Sequence, residues 1–272
     1  MVDGSDALRL LAEMMAPTGE VTLRMLGEPM PVLSGTAQGF NGRRTPRCVE
    51  LLSFLALRGP QSPARVLEAF WPDKTDQRTA VTATSRIRGA IAPATIILNG
   101  DRYALSGVDC DWQRFCRLVT TANTLDSEGA MMLLRAAMAM VTCRPFEGRQ
   151  VFDGRSSTWE WLDHGYVEAD VLVRIVDAAE ACAELALHAR DASTALWACE
   201  KARLIEPHRE ATHLLRMRAY ALLGDRDGLH REVRQAHESA TMDDPLAERS
   251  ANVMNLLRMP DDQLNDRHRA GR

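Results

Sequence analysis

Along "TPRCVELLSFLALRG" the apolar residues Val49, Leu52, Leu55 and Ala56 recur at helical spacing and stop at Gly59, which predicts an amphipathic helix. Thr45 stands where a capping side chain belongs, and Pro46 suits the first turn. A second cap-and-proline pair, Ser62 and Pro63, opens a short helix that Pro72 ends, and a third helix is expected from Asp76 to Ile91. Upstream, "ALRLLAEMMA" (7–16) reads as a short amphipathic helix. "VTLRML" (Val21 to Leu26) alternates with period two, and "MPVL" and "TAQGF" follow between Gly and Pro breaks, which predicts a small antiparallel sheet. After Pro93, "TIIL" and "RYALS" flank Asn99, Gly100 and Asp101, and Asn-Gly signals a two-residue hairpin turn.

The second half is helical. Residues 111–121 and 126–140 read as helices, and from Glu168 onward small and apolar residues keep helical spacing. "DASTALWACEKARLIEP" and "DRDGLHREVRQAHESA" begin 34 residues apart, at Asp191 and Asp225, which is the tetratricopeptide period, and Pro207 falls where such a repeat closes. Helix pairs of this kind cannot bury their apolar faces alone, so they stack and leave a concave groove. The expected fold class is mostly α with a small β part: a winged helix-turn-helix followed by an all-α, tetratricopeptide-like helical-repeat domain.

Composition agrees with that reading and excludes others. The 272 residues are 46% hydrophobic and 26% charged, enough for two cores in a soluble globular protein. No apolar run approaches the length of a membrane span, and the N-terminus carries acids where a secretory signal is basic. A cytoplasmic chain without membrane contact is expected. The six cysteines show no CxxC pattern and read as buried free thiols. His208 and His213 stand five apart, about 140° around a helix, whereas a zinc-binding pair shares a face at a step of four. With no phosphate loop or nucleophile elbow either, neither an enzyme nor a cofactor is predicted. The chain has a net charge of −4, yet 40–106 carries ten Lys and Arg against five Asp and Glu. A basic island in an acidic protein points to an anionic partner.

The order of these motifs resembles the bacterial transcriptional activator proteins of the Streptomyces antibiotic regulatory protein (SARP) type, with their OmpR-like winged helix. The residues that carry the resemblance are Phe70-Trp71-Pro72, "SRIRGAI" (Ser85 to Ile91), Asp101-Arg102-Tyr103-Ala104-Leu105, and Val108-Asp109-Cys110-Asp111-Trp112 leading to Phe115. "CRPFEG" and "SSTWEWLDHGY" continue it into the helical half. The resemblance covers about 21–258 and implies a winged helix-turn-helix DNA-binding domain over 21–107 and a bacterial transcriptional activator domain over 108–258. A short helix or tail (1–20) precedes them and a tail (259–272) follows.

By the family register, Ala80, Thr84, Ile87 and Ile91 of the third helix face inward, while Arg78, Val81, Thr82, Ser85, Arg88 and Gly89 face out, with Arg86 at the margin. The resemblance implies that this helix enters the major groove, where Arg86 and Arg88 can read guanine and Arg78, Thr82 and Ser85 can meet base edges or phosphates. Arg102 beside the turn and Arg43, Arg44 and Arg47 around the start of the first helix supply phosphate charge. Val81 and Gly89 stand where the family has more basic residues, so weak monomeric binding that needs repeated half-sites is expected. Arg88 has an alternative use, pairing with Asp109 or Asp111, and the five tryptophans suit core and interdomain packing. The resemblance thus implies a sequence-specific transcriptional regulator, an activator on repeated half-sites that contacts double-stranded DNA and RNA polymerase, with a homodimer possible. The alternative is an interaction or effector-sensing module that uses the helical groove and keeps the winged helix as scaffold.

Overall fold

A computed structural model describes residues 4–35, 45–71, 76, 78–90, 96–151, 159–163 and 165–239. The expected strand "TAQGF", Arg43, Arg44, Ile91 and the C-terminal tail lie outside the described residues. In chain order the elements are α1 (Gly4–Met15), β1 (Val21–Arg24), β2 (Val32–Gly35), α2 (Thr45–Arg58), α3 (Pro63–Phe70), α4 (Arg78–Ala90), β3 (Ile96–Asn99), β4 (Arg102–Leu105) and β5 (Val108–Cys110). The helices α5 (Asp111–Ala122), α6 (Ser127–Ala139), α7 (Val167–His188), α8 (Ala192–Ile205), α9 (Glu210–Leu223) and α10 (Arg226–Ser239) complete the fold. The architecture is a winged helix joined to a helical repeat.

The first sheet differs from expectation in one strand. β1 pairs antiparallel with β2, and its other edge is taken in parallel by β5, from the link before α5, for which no strand is expected from the sequence. Val108 and Cys110 are buried there, so the link threads back through the core before α5 starts. The wing is the β3–β4 hairpin, with Asn99 opposite Arg102 and a Gly100–Asp101 loop. Gly100 takes φ +64° with no positive φ at Asp101, the pattern of a turn with Gly at its first central position. The turn therefore sits one residue later than the Asn-Gly pair alone suggests.

α2 is buried on more than one face. Val49, Leu52, Leu55 and Ala56 line the core as the spacing predicts, but Cys48, Glu50, Leu51, Ser53 and Phe54 are buried too. The wing strand β4 lies against it, and α5 and β1 cover it from elsewhere. A helix covered on both sides is enclosed all round.

In the helical half, α8 and α10 begin at Ala192 and Arg226, 34 residues apart, and the period extends to the caps. Asp191 Oδ1 accepts from Thr194 N at 3.0 Å, and Asp225 Oδ1 accepts from Gly228 N at 2.9 Å. Each Asp satisfies an N–H that the helix start leaves without a partner. α7, α8, α9 and α10 pack in succession around alanines and small residues that are fully buried, among them Ala179, Ala183, Ala195 and Ala198. Small side chains let the helices approach closely and keep the repeat regular.

Candidate nucleic-acid interface

Ser62 accepts from Arg65 N at 3.3 Å and, with Pro63 in the first turn, starts α3. Asp76 Oδ1 accepts from Arg78 N at 2.9 Å, and the Asp76 carbonyl accepts from Thr79 N at 3.1 Å, which starts α4. α4 then packs on α3 and β3. Thr84 is 1% exposed, and its hydroxyl donates to the Val81 carbonyl at 3.0 Å, so its polar atom is satisfied inside the helix. Arg78, Val81, Thr82 and Ser85 are exposed. The described side chains of α4 therefore face as the register expects. Arg86 and Arg88 sit on its last turns, and the side chains of 86–90 and of Ala80 lie outside the described residues.

A cavity of about 420 Å³ opens between the end of α3 and the first turns of α4, lined by Trp71, Arg78, Thr79, Thr82 and Ala83. It joins a guanidinium and two hydroxyls at a helix start, where the positive end of the helix dipole favours an anion. Thr79 was not singled out from the sequence, and Trp71 was read there as a motif and packing residue; their meeting across the gap between two helices has no periodic signal.

Arg102 is 61% exposed, 3.9 Å from an Asp101 carboxylate that is itself 90% exposed. An ion pair that open to water holds little energy, so the arginine is available to another anion. Arg47 is differently placed. Its Nη1 donates to Glu50 at 2.7 Å, its Nη2 donates to the Phe70 carbonyl, and its guanidinium lies 4.8 Å from the Phe70 ring centre and 5.3 Å from that of Trp71. It ties α2 to the end of α3.

Glu50 is the centre of a latch that the sequence did not reveal. Only 1% exposed, it accepts from Arg47, from Trp159 N at 2.6 Å and from Trp161 Nε1 at 3.1 Å. Trp159 holds a left-handed φ of +78°, a costly backbone for a bulky residue. Trp161 fits edge-on against Phe54, with ring centres 5.1 Å apart, and stacks on Phe70 at 6.4 Å. The segment 159–162 thus fastens the winged helix to the entrance of α7. The tryptophans of this junction are packing residues, as expected of them.

Both acids offered as partners for Arg88 have other partners. Asp109 takes two bonds from Arg114 Nη2, at 2.5 and 2.7 Å, and one from Thr18 Oγ1 at 3.2 Å. Asp111 accepts from Met25 N at 2.8 Å and Leu26 N at 3.0 Å, which holds the chain after β1. Burial raises the Asp111 pKa above its ordinary value, against the pull of those N–H donors. Among the described residues no group of His, Cys, Asp and Glu could hold a metal ion, and no helix is long and apolar enough to cross a membrane.

A winged helix carrying a helical repeat is the class that this geometry defines. No family model and no curated protein matches the chain. Among solved structures it is similar to Mycobacterium tuberculosis EmbR, in a complex with a low affinity phosphopeptide, at 18% identity and a TM-score of 0.59. That match covers 89% of this chain and 66% of the EmbR chain.

Proposed function

We propose that the protein is a sequence-specific, DNA-binding transcriptional regulator, an activator that works in the cytoplasm on repeated half-sites and contacts RNA polymerase through its helical half. The observation that carries this reading is the exposed face of α4, where Arg78, Thr82 and Ser85 stand together while Thr84 turns into the core. The fold that the chain shares with EmbR and the SARP-type order of its motifs support the choice of partner. In the proposed complex α4 enters the major groove, the Arg78, Thr79 and Thr82 cavity seats a backbone phosphate, and Arg102 on the wing meets another. Arg86 and Arg88 follow on the same helix, and Arg43 and Arg44 add charge ahead of α2. Arg47 serves indirectly, by holding α2 against α3. Pairing of two copies through the helical half, to span two half-sites, belongs to the same proposal.

Fluorescence anisotropy of a labelled random duplex, begun at about 20 mM salt and followed through a salt series, tests it. Micromolar binding is expected, with a log–log slope of several phosphates. Arg78→Ala and Arg102→Ala each lower that slope by about one, and Arg86 and Arg88 changed together to Ala abolish selection among sequences. Absence of binding at the lowest salt overturns the reading.

A further inference from the structure

Among the described side chains, the exposed face of α4 contains one that no phosphate and no polar base edge can use. Arg78, Val81, Thr82 and Ser85 follow one another at steps of three, one and three residues along the first two turns, so they form a single patch. Three are polar. Val81, at its centre, is 48% exposed. Solvated valine on a helix gains nothing from its position, and β-branching lowers its helix propensity there. Its branch leaves one strongly preferred rotamer, so its two methyl groups are presented in a fixed direction with little entropy left to lose on contact.

Resting on the DNA-binding reading, we infer that Val81 is a specificity-determining residue that selects thymine by packing on its C5 methyl group. The chemistry allows few other partners. Each base pair offers the major groove its hydrogen-bonding groups, and the thymine methyl is the one apolar group among them. The first turns of a reading helix are those that meet base edges. Polar Arg78, Thr82 and Ser85 around Val81 then bind the neighbouring phosphates and edges, and the apolar centre fixes a T·A pair at one position of each half-site. A residue that had read as a loss of charge becomes the source of a preference.

The test uses the full chain and a duplex selected from random sequence. Deoxyuridine replaces thymidine at one position at a time, which removes the methyl group and leaves the hydrogen-bonding edge untouched. Loss of one buried methyl corresponds to about fourfold weaker binding, expected at one position of each half-site. In Val81→Ala the thymidine and deoxyuridine duplexes bind within about twofold of each other, and Val81→Ile restores the difference. Both substitutions are on an exposed face and fold as the parent does, which circular dichroism checks. A selected duplex that shows no deoxyuridine effect, or one that persists in Val81→Ala, overturns the role of Val81 and leaves DNA binding standing. Failure to bind any duplex overturns both.

Discussion

Replacing Glu50 by Ala tests the latch between the winged helix and the helical half. The substitution removes the acceptor of three donors at once: Trp159 N, Trp161 Nε1 and Arg47 Nη1. Each buried N–H left without an acceptor costs about 1–3 kcal/mol, and breaking a buried charged pair by removing one partner costs about 3–5 kcal/mol. These are overlapping accounts of the same loss, so about 3–5 kcal/mol is expected in total. A domain of this size moves its melting midpoint by about 2–4 °C per kcal/mol, giving a drop of about 6–20 °C. Tryptophan fluorescence is the suitable assay, because Trp159 and Trp161 sit on the latch itself. Glu50→Gln keeps one oxygen for the tryptophan donors and turns an amide toward Arg47, so a smaller loss of about 1–2 kcal/mol is expected. The left-handed backbone at Trp159 is tied to α2 by its N–H bond to Glu50, and its release should broaden the fluorescence transition in the Ala variant. An Ala variant that melts within about 1 kcal/mol of the parent refutes the argument that this carboxylate holds the junction.

The remaining predictions concern pH, thiols and the wing. Burial works against the Glu232 carboxylate, but His213 at 2.6 Å and Arg216 at 2.8 Å outweigh it and lower its pKa below 4.5. Its contribution is therefore present above that value and lost as pH falls through the lower folded pKa; melting curves from pH 7 to 3 should fall less steeply in Glu232→Gln, and parallel curves would remove Glu232 from the account. Burial pushes Cys110 and Cys199 up to about 12 and Cys182 up to about 11, so thiol titration of the native protein should label Cys116 and Cys143 first, and all six cysteines only after unfolding. Gly100→Ala forces a side chain onto φ +64° and should cost about 1 kcal/mol, seen as a lower midpoint in urea; an unchanged midpoint would mean that the wing turn relaxes.

The elements that could be read from the chain are those whose causes lie close together in sequence. The stripe of α2, the Ser62-Pro63 start of α3, the two-residue wing and the 34-residue spacing each depend on neighbours within a turn or two, and the structure contains them all. The facing of α4 followed instead from the register of the family that its motif resembles, and the side chains described on it agree, with Thr84 buried and Arg78, Val81, Thr82 and Ser85 exposed. Partners far apart in sequence left no such trace. β5 joins β1 across more than 80 residues, and nothing in "VDC" distinguishes a three-residue parallel strand from a link. Glu50 looks like an ordinary polar position of an amphipathic helix; its role depends on Trp159 and Trp161, more than 100 residues later. Arg47 was counted with Arg43 and Arg44 as free charge because sequence shows a cation and not the carbonyl and rings that hold it.

That long-range set also determines how the candidate interface is carried. α4 is held by α3 and β3, α3 ends in Phe70, and Phe70 is in contact with Phe54, with Trp161 and, through Arg47, with Glu50. Trp161 belongs to the segment that enters α7. A line of contacts thus runs from α4 through α3 to the segment that enters the first helix of the repeat, and one continuous core includes residues from both halves. Two domains joined by a solvated linker would let each reading head search its half-site independently of the other. Here a shift of the repeat carries α4 with it, because any independent rotation must first part Trp161 from Phe54 and Phe70 and strip Glu50 of its donors. In the proposed function, half-site spacing is then set by how two helical halves meet, and the orientation of Val81 toward its base pair is inherited from the same contacts.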